Sequence, residues 1–136
     1  KVLKADHQSK QYRLEDQLIL KGNVDHAYRY YSDYAFLVLP SYREGLPLVL
    51  LEALELGLPM VSFDIETGPN EIIEDGKNGY LIPPYDLEQM GQRMTELMED
   101  ASRRKAFSTY EGNKDKFSKN TILKQWIRLI EGLHEK

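Results

Sequence analysis

The sequence predicts an α/β fold, a Rossmann-like parallel sheet of about four strands flanked by helices. Three observations predict it. Short apolar runs alternate with helical patterns through the first two-thirds of the 136-residue chain, the order that builds a parallel sheet with right-handed crossovers. The runs AFLVL (35–39) and PMVSF (59–63) lack polar alternation, which suits strands covered on both faces. The last part of the chain is helical in pattern, with apolar stripes at the helical period.

QLILKG (17–22) reads as the first strand, ended by Gly22. In VDHAYRYYSDY (24–34), Val24, Ala27, Tyr28 and Tyr31 recur at the spacing of a helix of about two turns. AFLVLPS (35–41) is the second strand, stopped by Pro40 and Ser41. A helix follows over 47–56, with Pro47 in its first position and Gly57 and Pro59 ending it. PMVSF is the third strand. PNEIIED (69–75) gives a helical turn or two, DGKNG (75–79) is a turn, and YLIP (80–83) is the fourth strand. Asp86 is an N-cap, with Gln89 as in a capping box. Leu87, Met90, Met94, Leu97 and Met98 mark one face of the helix it opens. Another helix is expected over 101–110. The last carries Ile122, Leu123, Trp126, Ile127, Ile130 and Leu133, with Trp126 and its stripe read as core. No repeat, low-complexity segment or interior linker divides the chain, so 1–136 is read as a single domain.

The formal net charge of −4 and pI near 5.4 argue against a general nucleic-acid binder, which would be basic. The absence of cysteine excludes disulfides and thiolate metal sites. No apolar run approaches the roughly 20 residues of a membrane-spanning helix, and the polar start KVLKADHQSK shows no signal peptide. Beginning at Lys1 without a methionine, the chain is expected to be a piece of something longer.

REGLPLVLLEALELGLP (43–59) places glutamates at 44, 52 and 55 in an apolar stretch. A helix over 47–56 is apolar in every direction and is expected to be buried. A buried carboxylate needs a partner or an opening. Helical spacing puts Gly45, Leu48 and Glu52 roughly in line, with Glu44 at the top edge. A helix start offers free N–H groups and a positive dipole end to phosphate. Gly45 lets backbone approach closely. An ionised Glu52, acceptor-only, can take both hydroxyl donors of a cis-diol such as ribose, and Glu44 can reach hydroxyls of a sugar beyond a diphosphate. The preceding strand ends at 39–40, which places these groups at the carboxyl edge of the sheet, where ligands of open α/β sheets bind. Spacing alone leaves open a structural salt bridge for either glutamate.

The segment 39–86 resembles the signature region of family 4 (group 1) retaining glycosyltransferases of GT-B fold. The likeness lies in Pro40-Ser41, Glu44-Gly45, Glu52-Ala53, Gly57-Leu58-Pro59, Gly68 with Glu71-Ile72-Ile73, Asp75-Gly76-Lys77-Asn78-Gly79 and Pro83-Pro84-Tyr85-Asp86, in the family's order. Residues 20–40 match the segment just upstream. The resemblance implies that Glu44 contacts the donor sugar and is the catalytic candidate, and that Glu52 holds the ribose hydroxyls. Backbone amides around Gly45, Leu46 and Leu48 would meet sugar or diphosphate, and Gly22 and Asn23 resemble the loop lining the base pocket. It further implies retaining transfer of a hexosyl group from a nucleotide-diphosphate sugar, a UDP-sugar being expected as co-substrate. No cofactor or metal is expected, and leaving-phosphate stabilisation takes the place of a protein nucleophile.

The family's donor domain begins with two more strands and a basic pair that neutralises the diphosphate. No counterpart precedes residue 17, since Lys1, Lys4 and Lys10 lie in the wrong context. The acceptor half, with its candidate catalytic histidine, is absent too, and His7, His26 and His134 read as solvated or structural. The chain is therefore expected to be part of a nucleotide-sugar-binding domain, inactive alone. The parent is expected to be a cytoplasmic bacterial enzyme of polysaccharide or glycolipid synthesis. It would meet a saccharide or lipid-linked acceptor through the missing domain, with peripheral contact at the inner face of a membrane. An open sheet edge would favour a dimer. The competing hypothesis is a non-catalytic nucleotide- or protein-binding module of the same fold. A sugar-nucleotide epimerase is a third, against which the Pro-Ser to Glu-Ala signature argues. The tyrosine cluster at 28, 30, 31 and 34 is read as packing on the sheet, SRRKAF (102–107) as a solvated helix face, and ETGPNE (66–71) as either a loop that wraps the donor sugar or a structural Gly-Pro turn. In the family the final helix often crosses back to the other domain, which leaves part of the Trp126 stripe open to exposure in a fragment.

Overall fold

The computed structural model describes residues 2–134, with side chains from 7 to 133. The readings placed on Lys1 and on the side chains of Lys4 and His134 lie outside the described residues. Three strands form one parallel sheet in the order β1 (Leu37–Leu39), β2 (Met60–Phe63), β3 (Gly79–Ile82). Val38 pairs with Val61, and Val61 with Tyr80. The helices are α1 (Val2–Gln11), α2 (Leu48–Glu55), α3 (Pro69–Ile72), α4 (Leu87–Glu99), α5 (Ala101–Ser108) and α6 (Lys119–His134), with 3-10 turns at Ala27–Asp33 and Lys114–Phe117.

Both faces of the sheet are covered, which is why its strands read as near-continuous apolar runs. Met60, with Leu37, Leu39 and Leu81, faces a layer containing Leu50, Ala53 and Leu54 of α2 and Ile72 of α3. Val61, Phe63, Tyr80 and Ile82, with Val38, face Met90 and Leu97 of α4 and Phe107 of α5. The two-residue period of the strands thus sorts one sequence into two cores.

The ends of α2 and α4 follow from local chemistry. After Leu56 the chain turns through Gly57 (φ 66), whose N–H bonds the Leu54 carbonyl at 3.2 Å, while the Leu58 N–H bonds that of Ala53 at 2.8 Å. This is a Schellman closure, favoured by glycine at the left-handed position. Asp86 caps α4, accepting from the Gln89 amide at 2.8 Å. Asp86→Ala is expected to cost about 1 kcal/mol, lowering the thermal midpoint by about 4 °C in a chain of this size. A melt followed by circular dichroism checks this, and an unchanged midpoint would show the cap to be idle.

Four expectations are corrected. Residues 17–22 form no strand, so the sheet has three strands and not about four. Ile19 is 77% exposed, and no described strand pairs with this run. An apolar triplet is compatible with a strand, but only a paired neighbour makes one. Residues 24–34 do turn helically, as a 3-10 segment over Ala27–Asp33 that buries Tyr31 and leaves Tyr28, Tyr30 and Tyr34 exposed. Helix α2 is one-sided: Leu48 is 67% exposed, while Leu50, Ala53 and Leu54 are buried. Trp126 is not core, because α6 carries its apolar stripe on the surface and every residue from 122 to 133 is exposed.

DGKNG is chiefly a structural device. Asn78 is buried; its side-chain oxygen accepts from the Glu74 amide at 2.8 Å and its amide donates to the Ile72 carbonyl at 3.2 Å. Asp75 accepts from the Leu81 amide at 2.9 Å. Together they aim β3 into the sheet. Behind β3, Tyr80 and Arg93 donate to Glu96 and hold its carboxyl below the usual range, the tyrosine hydroxyl contributing most.

Candidate functional site

The loop from β1 to α2 leaves the sheet at its carboxyl edge. Within it Glu44 is half-buried, Gly45 and Leu46 are exposed, and Pro47 is buried. Pro47 has an extended backbone (φ −74, ψ 103) and is the cap of α2, not its first helical residue. Its carbonyl accepts from the amides of Leu50 and Leu51 at 3.0 and 3.3 Å. No side chain caps this helix, and the amides of Leu48 and Val49 meet no acceptor among the described residues. Asp86 and Asp100, by contrast, close the starts of α4 and α5. The start of α2 is thus an exposed pair of free donors at the positive end of a helix dipole.

Glu52 lies on the Leu48 face of α2, about 6 Å further along the axis at 1.5 Å per residue. It is half-buried and accepts a hydrogen bond from the Tyr31 hydroxyl at 3.2 Å. Burial, and then the Glu52 carboxylate beside it, push the Tyr31 phenol up. Glu52 borders a largely apolar hollow of about 320 Å³ with Tyr28, Leu51, Glu55 and Leu56.

Glu44 borders a different hollow, of about 340 Å³, with Tyr42, Arg43, Ile65, Glu66 and Thr67. The loop after β2 forms its far wall and grips the Glu44 loop. Thr67 Oγ1 donates to the Glu44 carbonyl at 2.7 Å. Gly68, at φ 99, packs so closely that a Cβ there would lie 2.6 Å from Pro47 Cδ and nearer still to the Gly45 carbonyl oxygen. Tyr42 is steadied by rings from the other two strand ends, with centroids 5.6 Å from Phe63 and 4.7 Å from Tyr85. A Cβ on Gly45 would meet nothing within 4 Å, so the space above the helix start is open.

The two glutamates therefore flank the start of α2 but open into separate hollows. Gly22 and Asn23 are exposed, and neither borders the hollow of Glu52 or that of Glu44. Tyr31 and Arg43 are additions that sequence reasoning did not assign. Arg43 could have been found from its place beside Glu44. Nothing in the sequence ties Tyr31 to a residue 21 positions away.

A family profile, glycosyl transferases group 1, matches residues 2–114. The chain belongs to this family. Among curated relatives, an exopolysaccharide phosphotransferase of Streptomyces coelicolor is 37% identical over 123 residues, which are 88% of this chain and 13% of the relative. A poly(ribitol-phosphate) alpha-N-acetylglucosaminyltransferase of Staphylococcus aureus is 33% identical over 119 residues, 86% of this chain and 24% of that protein. A crystal structure of a mutant of S. aureus TarM in complex with fondaparinux, alpha-GlcNAc-glycerol and UDP superposes with a TM-score of 0.86 at 31% identity, over 93% of this chain and 26% of that chain. The chain thus spans about a quarter or less of the length of these proteins. The match bears out the resemblance read from residues 39–86 and the parallel α/β architecture, with the strand count corrected to three.

Proposed function

We infer that this chain is the donor-binding part of a retaining group 1 glycosyltransferase, and that a nucleoside-diphosphate sugar lies over the start of α2. The observation that carries the reading is the uncapped helix start, with two free amides above a carboxylate on the same face. The Leu48 and Val49 amides, with the exposed backbone at Gly45 and Leu46, meet the diphosphate. Glu52 accepts from the ribose hydroxyls. Glu44, the catalytic candidate, accepts from hydroxyls of the donor hexose. In transfer, the bond between the anomeric carbon and the diphosphate oxygen breaks, and the acceptor hydroxyl adds on the same face while passing its proton to the departing phosphate oxygen. Negative charge grows on the departing diphosphate, where the helix dipole and amides already point.

UDP is the expected nucleotide, supported by its presence in the TarM complex. The acceptor, a saccharide or lipid-linked saccharide, is met through the rest of the parent protein at the cytoplasmic face of a membrane. No helix among the described residues is long and apolar enough to cross one.

Amide NMR titration of the chain with UDP, GDP and ADP tests the reading. Shifts centred on 44–52 are expected, strongest with UDP. A folded chain whose spectrum no nucleotide alters would refute donor binding and leave the non-catalytic module as the better account.

A further inference from the structure

We propose that Tyr31 is a positioning residue for nucleotide recognition: its hydroxyl fixes the Glu52 carboxylate in the orientation that takes the ribose diol. The proposal rests on the ribose role given to Glu52 above and adds a residue and a specificity to it.

The contact joins two elements 21 residues apart. Tyr31 comes from the 3-10 turn and Glu52 from the exposed side of α2, and the hydroxyl meets Oε2 at 3.2 Å. The Tyr31 ring is held rigidly. It is 7% exposed and belongs to the same cluster as Leu50, Ala53, Leu54 and Leu58. A glutamate has three rotatable bonds, so an untethered Glu52 would have to be ordered at the moment of binding. A donor on a packed ring removes much of that entropy beforehand.

The chemistry of the tether suits a diol. Among the described residues no cation pairs with Glu52; its side-chain partner is a neutral phenol. A lysine or arginine there would fill the carboxylate with strong donors and compete with sugar hydroxyls. A phenol occupies one acceptor site of about four and leaves the charge in place. Among the described residues Oε1 meets no donor, and the second lone pair of Oε2 is open, enough for the 2′- and 3′-hydroxyls together. Burial and the adjacent carboxylate raise the phenol's pKa, so it stays a donor at neutral pH and above.

A phenol that merely satisfied its own buried oxygen would leave ribose discrimination untouched. The test therefore reads a ratio, the Kd for 2′-deoxy-UDP over that for UDP, in the wild-type chain, Tyr31→Phe and Glu52→Gln. Tyr31→Phe is expected to weaken UDP about five-fold, the worth of one ordinary hydrogen bond. It should weaken 2′-deoxy-UDP, which keeps only the 3′-hydroxyl, less than UDP, so that the ratio falls. A ratio equal to that of wild type, or equal weakening of both nucleotides, would overturn the proposal. Glu52→Gln separates the two levels. If it too leaves the ratio unchanged, the ribose role of Glu52 is what fails. If it collapses the ratio while Tyr31→Phe does not, only the positioning role fails. A folded wild-type chain that binds neither nucleotide overturns both.

Should Tyr31→Phe not fold, the ζ-13C resonance of Tyr31 in wild type gives the answer. It is expected to move more with UDP than with 2′-deoxy-UDP. A resonance that stays in place at saturating UDP, or moves equally with both, overturns the proposal.

Discussion

Glu52→Ala is expected to lower affinity for UDP about 100-fold while the fold persists. Hydrogen bonds to a charged acceptor are each worth about 1.5–3 kcal/mol, and about 2.7 kcal/mol corresponds to two decades in Kd. On the ribose role proposed for Glu52, the alanine removes the acceptor of both hydroxyls at once. Its effect on stability is expected to be small, because Glu52 is only half-buried and forms no ion pair among the described residues. The one internal loss is the acceptor of the Tyr31 hydroxyl, about 1 kcal/mol. Calorimetric titration with UDP, alongside a thermal melt, separates the two quantities. A change in Kd below threefold with an intact melt would mean that ribose is held elsewhere.

Gly68→Ala is expected to lower the thermal midpoint by about 10 °C, from about 3 kcal/mol at roughly 3–4 °C per kcal/mol in a chain this long. Two costs combine. A left-handed backbone costs an ordinary L-residue about 1–2 kcal/mol, and overpacking costs about 1–3 kcal/mol. Both apply at φ 99, where the new methyl would press on Pro47 Cδ and the Gly45 carbonyl. The strain is relieved only by parting the two loops, which strips Thr67 from the Glu44 carbonyl. Nucleotide-sugar binding should therefore weaken together with stability. Gly45→Ala provides the contrast, since its methyl would enter open space at an ordinary φ. A Gly68→Ala midpoint within 3 °C of wild type would show that the loops are not packed as described.

The parts of the fold legible in the sequence are those governed by nearest neighbours. Asp86 before Leu87 states a helix start, and Gly57 after Leu56 states a helix end, because capping is settled within five residues. The runs at 37–39, 60–63 and 79–82 announce strands through near-continuous apolarity. QLILKG carries the same signal and is no strand, because pairing depends on what lies beside it in space. Burial was misread for the same reason. Leu48, Leu56 and Trp126 are apolar, yet the sequence does not say which side of α2 or α6 meets a neighbour. At the candidate site, Glu44, Gly45 and Glu52 were legible because one helix start orders them. The grip of Thr67 on residue 44, and that of Tyr31 on residue 52, span 23 and 21 positions and leave no mark in either stretch alone.

The close fit of Gly68 against Gly45 and Pro47 has a consequence for how this surface can diversify. The loops after β1 and β2 are separate in the chain but share a wall without slack. A longer side chain or an insertion in one is sterically incompatible with the unchanged other. Homologues that acquire a differently shaped sugar pocket should therefore alter both loops in concert. The glycine and its facing carbonyl would be inherited, or lost, as a pair.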